Sequence, residues 1–212
     1  MFITFEGIDG CGKSTQISRF EKTLKEKGIP SVVTREPGGT KIGQAIRKIL
    51  LDLDNAHMVP LAELFLYAAD RAQHVSEVIN PALEAGKWVI SDRYFDATTV
   101  YQGVVLGRHE KLIEQLNREA TLGCKPDITF LLDCPAEVAL QRRAKRGKKR
   151  DRFERKAIDF HIKIRYGYLA LADKYKDRFK IIDSTLPEDR VARRIREVMS
   201  PYLPESELKC LK

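Results

Sequence analysis

The sequence contains few cysteines and no closely spaced pair of them. Its four cysteines are far apart in the chain, at Cys11, Cys124, Cys134 and Cys210. Because zinc sites and disulfide frameworks use short cysteine spacings, this arrangement argues against both and fits a reducing compartment. No run approaches the roughly 18 apolar residues that a membrane-spanning helix needs. The first residues also lack the basic lead and apolar core of a secretory signal, so we expect a cytoplasmic protein without a membrane partner.

What the sequence does contain is an ordinary globular composition. It has 212 residues, of which 43% are hydrophobic and 32% are charged. A chain of this length supports one sizeable core more readily than two. We therefore expect a single domain over residues 1–212, with residues 204–212 as a loose tail.

Positive charge is in excess, but one segment holds all of it. The formal net charge is +8, which first suggests a nucleic-acid binder. Ten lysine and arginine residues against two acidic ones lie in residues 142–156, so this stretch accounts for the whole excess. A nucleic-acid surface would instead spread basic residues over several elements, with exposed aromatic residues among them. We expect no nucleic-acid partner, and a solvated helix face remains an alternative for the run itself.

Short apolar runs alternate with longer segments of helical period along the chain. The candidate strands are 2–6, 31–34, 88–91, 128–133 and 180–183. Candidate helices include 14–27, 61–84, 136–146, 153–174 and 187–199. The strands 2–6, 88–91 and 128–133 are the most continuously apolar, as parallel strands covered on both faces are. This alternation predicts a three-layer α/β fold, with a five-stranded parallel sheet flanked by helices on both faces.

A glycine-rich segment directly follows the first candidate strand and precedes a helical pattern. Its letters, GIDGCGKST, match the phosphate-binding motif GxxxxGK[ST] in the strand–loop–helix context that the motif requires. Glycines let backbone N–H groups turn toward phosphate oxygens, and the helix N-terminus adds its positive end. We expect Lys13 at the β- and γ-phosphates of ATP and the Ser14 hydroxyl on Mg²⁺. The expected ATP-binding residues are Gly7, Ile8, Asp9, Gly10, Cys11, Gly12, Lys13, Ser14 and Thr15.

Two observations narrow the function of this loop. A GTPase switch needs an NKxD guanine clamp, and the sequence has none. A DxxG motif occurs only inside the loop itself, at residues 9–12. A small-molecule kinase is therefore favoured over a switch protein. We interpret Cys11 as a spacer; the alternative is an oxidation-sensitive thiol, since a nearby helix N-terminus can lower a thiol pKa.

Three further clusters lie where strands or helices are predicted to end, which is the binding edge of such a sheet. They are residues 34–40 (TREPGGT), 67–74 (YAADRAQH) and 92–103, which contains DRY and TTVYQG. Each cluster combines an arginine with an aromatic residue or glycine, as suits one phosphate and one flat base. Tyr67 and Arg71 are four residues apart and share a helix face, so a ring and a guanidinium can approach one planar ligand. A half-buried amphipathic pair is the alternative.

Taken together, these segments resemble the bacterial thymidylate kinases. The matching stretches are FEGIDGCGKST, TREPGGT, FLYAADRAQH, DRY with a following YQG, and a basic segment ending in RFE. They occur in the order of that family and cover residues 2 to about 170. The TREPGGT and DRY…YQG segments are the most diagnostic, because other nucleoside monophosphate kinases do not carry them together.

The resemblance implies transfer of the ATP γ-phosphoryl group to dTMP, giving dTDP and ADP, by a homodimer with a mobile lid. Lys13 and Ser14 would hold the ATP phosphates and Mg²⁺. Asp92 would contact the metal directly or through one of the metal's ligands. Arg35 and Arg93 would bind the acceptor phosphate.

The resemblance also implies roles around the sugar and the base. Asp9 would meet the deoxyribose 3′-hydroxyl, Arg71 a thymine carbonyl, and Tyr67 would stack on the ring. The residues lining the sugar and base would be Thr98, Tyr101 and Gln102. A tyrosine at position 101 would crowd a ribose 2′-hydroxyl and so favour deoxynucleotides.

Two positions depart from the family pattern. Position 67 is usually phenylalanine, and the extra hydroxyl of Tyr67 needs a partner or water. Eukaryotic-type enzymes carry an arginine in the phosphate loop where this chain has Gly10, so the catalytic positive charge must come from elsewhere.

The basic run would supply that charge if it corresponds to the lid of the bacterial-type enzymes. An arginine placed over a transferring phosphoryl group is worth roughly 10³–10⁵ in rate. By position relative to RFE, we expect Arg146 and Arg152 to make this contact, with Arg150 third. The lid would span about residues 142–156.

Two other functions stay open on the sequence. One is a kinase for another pyrimidine nucleotide, dUMP or UMP, because the thymine methyl contributes only about 1–3 kcal/mol of discrimination. The other, more remote, is a P-loop ATPase that binds nucleic acid.

Overall fold

The computed structural model describes residues 1–105, 107, 110–145 and 157–204. Its centre is a sheet of five parallel strands in the order β2-β3-β1-β4-β5. The strands are β1 (Phe2–Glu6), β2 (Ser31–Arg35), β3 (Trp88–Asp92), β4 (Ile128–Asp133) and β5 (Phe179–Asp183). All five predicted strands are therefore confirmed, and the bounds differ by one residue at most.

Helices connect the strands. They are α1 (Lys13–Glu26), α2 (Lys41–Leu51), α3 (Pro60–His74), α4 (Asn80–Glu84), α5 (Phe95–Thr98), α6 (Glu110–Thr121), α7 (Ala136–Ala144), α8 (Ile158–Lys174) and α9 (Glu188–Met199). Short 3₁₀ turns follow α2 at Leu53–Asn55 and α9 at Ser200–Tyr202, and π-helical turns cover Val75–Ile79 and Thr99–Val105. The helices α2, α5 and α6 are additional to those named from the sequence. The predicted helix 61–84 is helical throughout, with the first π-turn joining α3 to α4.

Some predictions fall outside the described residues. The predicted helix 153–174 is observed from Ile158, and residues 153–156 lie outside that part. Of the predicted tail 204–212 only Pro204 lies within it, and its carbonyl accepts a hydrogen bond from Lys27 Nζ at 3.0 Å.

The three central strands are buried as the sequence predicts. Every residue of β1 is buried, as are five of six in β4 and the middle three of β3. The rings of Phe5 and Phe130 face each other across β1 and β4 at 5.2 Å, and each buried phenylalanine contributes about 1.5–3 kcal/mol by leaving water. Because the strands are parallel, their carboxyl ends meet at one edge. Residues at those ends include Glu6, Arg35 and Asp92.

Among the residues that the structure describes, no helix is both long and apolar enough to cross a membrane.

Candidate active site

The phosphate-binding loop joins β1 to α1 and is pressed against its neighbours. Gly7 and Gly10 adopt positive φ values of 131° and 91°. A β-carbon at Gly7 would lie 2.6 Å from the carbonyl oxygen of Leu132. A β-carbon at Gly10 would overlap the carbonyl oxygen of Ala139 on α7 and lie 2.7 Å from Cγ of Arg143. Glycine is therefore required at both positions by backbone angle and by space.

The same contact explains the departure at position 10. An arginine cannot occupy that position unless α7 moves, because the helix backbone already fills the space. Arg143 instead brings a positive charge to this side of the loop, and it is among the groups that lower the pKa of Asp9. The N-terminus of α1 has no side-chain cap, so its first-turn N–H groups retain capacity for phosphate oxygens.

Lys13 lies inside the loop. Its side chain is buried, and Nζ donates to the carbonyl oxygens of Gly7 at 2.9 Å and Ile8 at 3.2 Å. The ammonium group is thus held by the backbone of the loop.

The nearby helix N-terminus does not lower the pKa of the Cys11 thiol. Burial raises its pKa, and the positive charges of Lys13 and Arg93 do not offset that effect. The Cys11 side chain is buried beneath the loop, which agrees with its interpretation as a spacer.

Ser14 and Asp92 lie together beside the loop. The Ser14 hydroxyl donates to Oδ2 of Asp92 at 3.3 Å, and the other oxygen, Oδ1, is buried without a hydrogen-bond partner in the described structure. A buried carboxylate oxygen without a partner is costly, and a cation would satisfy it. In the described ranges no group of three or more His, Cys, Asp or Glu residues is positioned to hold a metal. This pair fits Mg²⁺, which usually takes one or two protein oxygens together with phosphates and waters.

Arg93 and Asp9 connect the loop to the next cleft. Arg93 Nη2 donates to Oδ1 of Asp9 at 2.9 Å, and the guanidinium lies 5.1 Å from the ring centre of Tyr101. Burial opposes ionisation of Asp9, but the charges of Arg93 and Lys13 outweigh it and hold its pKa well below the usual range. Asp9 is therefore a carboxylate in a strongly positive environment.

A cleft next to this ion pair gathers most of the residues predicted for the acceptor. Those that line it are Asp9, Tyr67, Arg71, Arg93, Thr98, Tyr101 and Gln102. Arg35 does not line it. It lines a neighbouring cleft with Ser14 and Asp92, because β2 places it directly beside Asp92 in the sheet register.

The chain resembles known proteins over most of its length. A family model described as "Thymidylate kinase" matches residues 5–195. The protein named thymidylate kinase of Desulfosudis oleivorans is 53% identical over 201 residues, covering 92% of this chain and 94% of that protein. Its namesake from Trichlorobacter lovleyi is 48% identical, with 94% and 96% covered. The one from Geobacter sp. strain M21 is 46% identical, with 99% of each covered. The chain belongs to the thymidylate kinase family.

In this thymidylate kinase family member, buried partners fix the guanidinium of Arg71. Its nitrogens Nε, Nη1 and Nη2 donate to Glu36 Oε2, Asn117 Oδ1 and Thr98 Oγ1, each at 2.9 Å. The side chain is only 1% exposed, yet it forms part of the cleft wall. Each Nη group retains a second hydrogen for a ligand. Arg71 is thus a rigid donor rather than a mobile one.

Glu36 also holds the TREPGGT segment on α3. Its Oε1 lies 2.9 Å from Nδ1 of His74, and Nε2 of that imidazole lies 2.6 Å from the Thr34 hydroxyl. One helical turn earlier, Asp70 Oδ1 accepts the N–H of Gly38 at 2.9 Å. Burial, and then the charge of Glu36, raises the pKa of Asp70 to about 6.

Sequence reasoning gave no role to Glu6, Glu36 or Asn117. Glu6 and Glu36 lie within the motifs FEG and TREPGGT. Their place in these motifs is the signal that could have identified them as functional residues. Asn117 lies on α6 and carries no motif. A buried polar residue in an apolar strand, as Glu6 is in β1, is itself a signal, because such groups must be hydrogen-bonded.

The lid prediction falls mostly outside the described residues. Arg146, Arg150 and Arg152 all lie outside them, so their contacts stay a prediction. Of the predicted lid, residues 142–145 are described. Arg142 donates to the carbonyl oxygen of Ser184 at 2.8 Å.

Proposed function

We propose that this chain transfers the γ-phosphoryl group of ATP to the 5′-phosphate of dTMP, forming dTDP and ADP. The observation that carries the proposal is the Asp9–Arg93 contact of 2.9 Å. Asp9 belongs to the phosphate loop and also lines the acceptor cleft, so donor and acceptor sites share one boundary. Family membership, and relatives named thymidylate kinase, support the choice of nucleotide.

The reaction needs no nucleophilic side chain, because the acceptor phosphate oxygen attacks the γ-phosphorus itself. Catalysis then consists of positioning and charge neutralisation. Lys13 would bind the β- and γ-phosphates and Arg93 the acceptor phosphate. Ser14 and Asp92 are the residues that would hold Mg²⁺, and the ion would supply positive charge to neutralise the phosphate oxygens.

On the base side, the cleft offers an aromatic ring and a fixed donor on one helix. Tyr67 would stack on the thymine and Arg71 would donate to one of its carbonyl oxygens. Tyr101, beside Arg93, would leave no room for a ribose 2′-hydroxyl. Thr98 and Gln102 are buried beneath them and are hydrogen-bonded to Arg71 and Glu63 respectively.

The remaining roles extend beyond the cleft. We propose that Arg35 contributes to phosphate binding from the neighbouring cleft, and that Arg146 and Arg152, with Arg150 third, cover the transferring group. The kinase domain would comprise residues 1–212 and act in the cytoplasm.

The test is an ADP-release assay with ATP and Mg²⁺ across dTMP, dUMP, UMP, dCMP and AMP. We expect kcat/KM for dTMP to exceed that for UMP at least 100-fold, because a 2′-hydroxyl facing Tyr101 would lose its space and its hydration together. Chelation of Mg²⁺ should abolish turnover. A preference for dUMP would discard the base assignment alone, and a preference for UMP would discard both the base and the sugar assignments. Either result would keep the phosphate roles. No turnover with any monophosphate, together with tight ATP-sensitive binding of DNA or RNA in a gel shift, would favour the P-loop ATPase instead.

We also propose that the chain forms a homodimer through α3. The solvent face of α3 is uncharged over three turns and carries two large apolar side chains, Leu61 and Phe65, that are 38% and 49% exposed. Ala69 and Ala72 continue this face and are also exposed. Small apolar residues on an exposed helix face allow close approach of a second helix, and a face of this kind marks an interaction surface.

Phe65→Glu is expected to convert the homodimer into a monomer at micromolar concentration. The change places a charge at the centre of the α3 face, where a partner helix would have to desolvate it. Light scattering after size exclusion measures the mass. Tyr166→Glu on α8, where the side chain is 62% exposed, is the matched control and should remain dimeric. A monomeric parent protein, or a dimeric Phe65→Glu variant, would contradict the proposal.

A further inference from the structure

Glu6 is a fully buried carboxyl at the end of β1, immediately before the phosphate loop. Its Oε1 accepts the backbone N–H of Tyr94 at 2.8 Å, and its Oε2 accepts the hydroxyl of Tyr168 at 2.7 Å. Both partners are themselves completely buried. Neither of these contacts involves a nucleotide-binding atom directly. They do involve the residue that follows Arg93 and a residue that touches its guanidinium.

The backbone of Arg93 needs such support. Its φ of 72° lies in the left-handed region, which costs a non-glycine residue roughly 1–2 kcal/mol. Its N–H donates to the carbonyl of Phe5 at 3.0 Å, and its carbonyl accepts the Ser91 hydroxyl at 2.7 Å. The Glu6 contact to the next N–H, that of Tyr94, completes a clamp on both peptide groups of Arg93. Strained residues persist where the surroundings hold them, and they concentrate at functional sites.

The guanidinium end of Arg93 is linked to the same carboxyl. Nη1 of Arg93 lies 3.4 Å from the Tyr168 hydroxyl oxygen, which in turn donates its proton to Glu6. The contacts therefore form a closed ring from Glu6 through Tyr94 and the Arg93 backbone, along the Arg93 side chain to Tyr168, and back. The remaining Nη2 donates to Asp9. Glu6 thus restrains Arg93 at both ends.

We propose that Glu6 is a positioning residue for Arg93, acting through the Tyr94 N–H and the Tyr168 hydroxyl to aim the guanidinium at the acceptor phosphate. The proposal rests on the proposed role of Arg93 in binding that phosphate. Glu6 does not touch the substrate and takes no part in bond making.

Stability alone does not account for a glutamate at this position. Burial, and then the charge of Asp96, raises the pKa of Glu6 to about 8, although the charge of Arg93 opposes this. An enclosed carboxyl is costly, and a glutamine of nearly the same shape would avoid that cost. At pH values above 8 the ionised Glu6 accepts from both partners, and a glutamine cannot. Its amide nitrogen would donate to the Tyr168 oxygen and compete with Arg93 Nη1 for it.

The test is a double-mutant cycle. Tyr168→Phe and Glu6→Gln are each made in the parent chain and in an Arg93→Ala chain, and kcat and KM are measured for dTMP and for ATP at a pH above 8, where Glu6 is ionised. In the parent chain we expect each variant to lower kcat/KM for dTMP roughly 10- to 100-fold, mainly by raising KM for dTMP, because a misplaced guanidinium loses its contact. KM for ATP should change less than about twofold. In the Arg93→Ala chain we expect no further loss, because the group being positioned is gone.

Thr4→Val is the matched control. Thr4 lies on the same face of β1 two residues before Glu6, is equally buried, and shares a 2.8 Å hydrogen bond with Thr129. The substitution should lower the melting temperature without changing KM for dTMP.

Two outcomes would overturn the inference, and they are distinguishable. If Arg93→Ala is severe but Glu6→Gln and Tyr168→Phe reduce activity equally in both backgrounds, the two residues act independently of Arg93 and are merely structural. If Arg93→Ala leaves kcat/KM for dTMP unchanged, the proposed role of Arg93 itself fails. Should Glu6→Gln fold poorly, Tyr168→Phe carries the test alone, since it removes one hydroxyl and keeps the packed ring.

Discussion

Replacing Lys13 with alanine is expected to lower kcat for dTMP phosphorylation by roughly 10²- to 10³-fold, the range found when one preorganised donor to a transition-state charge is removed. The ammonium is already held in the loop by the carbonyl oxygens of Gly7 and Ile8, and it is largely shielded from water. Its attraction for phosphate oxygens is therefore strong, because the local dielectric constant is low. The measurement is kcat at saturating dTMP and ATP.

The control for this variant uses the same helix. Lys22→Ala removes a lysine two turns further along α1, where its side chain is 78% exposed and pairs only weakly with Glu26 at 3.8 Å. It should leave kcat unchanged. The melting temperatures of both variants show whether the fold is retained. Near-parental turnover of Lys13→Ala, with the fold intact, would remove Lys13 from the catalytic site.

Replacing Gly10 with alanine is expected to reduce the free energy of unfolding by about 2–5 kcal/mol. Part of the loss, about 1–2 kcal/mol, comes from placing a side chain at positive φ. The rest, about 1–3 kcal/mol, comes from overlap with the Ala139 carbonyl on α7. Urea denaturation at 25 °C measures the difference. The same overlap explains why an arginine at this position, as in eukaryotic-type enzymes, is incompatible with α7 where it lies.

Gly12→Ala separates the two contributions. Gly12 also has a positive φ, of 105°, but a β-carbon there would meet nothing within 4 Å. Gly12→Ala should therefore reduce the free energy of unfolding only by the backbone contribution, about 1–2 kcal/mol. Equal destabilisation by the two substitutions would mean that α7 can move away from the new β-carbon with no loss of stability. The steric explanation would then be wrong.

The sheet and the phosphate loop could be predicted from sequence because their signals are local. An apolar run such as 128–133 gives a buried strand, and GxxxxGK[ST] after a strand gives the loop. Helix α3 was predicted from its period, but the π-turn at Val75–Ile79 was not, because one extra residue per turn leaves no distinct pattern. The helices α2 and α6 were not predicted, because no capping residue or helical period was recognised in their sequences.

The parts of the site that escaped prediction depend on tertiary contacts. Asn117 meets Arg71 across 46 residues of sequence, and Tyr168 meets Glu6 across 162. No local pattern encodes such pairings. The environment of the Cys11 thiol could not be predicted for the same reason. A helix N-terminus lowers a thiol pKa when water reaches the sulfur, but the burial that reverses the shift comes from packing against other elements.

Helix α3 presents different chemistry on its two sides, Tyr67 and Arg71 toward the cleft proposed for the nucleotide and Leu61, Phe65 and Ala69 toward solvent. An α-helix is stiff over such a short length, so a displacement of one side is expected to displace the other. We therefore expect a molecule that docks on the outer side to alter the width of the proposed base pocket. A small molecule wedged under Phe65 would act as a remote inhibitor of nucleotide binding, at a surface that carries none of the charge that makes phosphate pockets difficult targets.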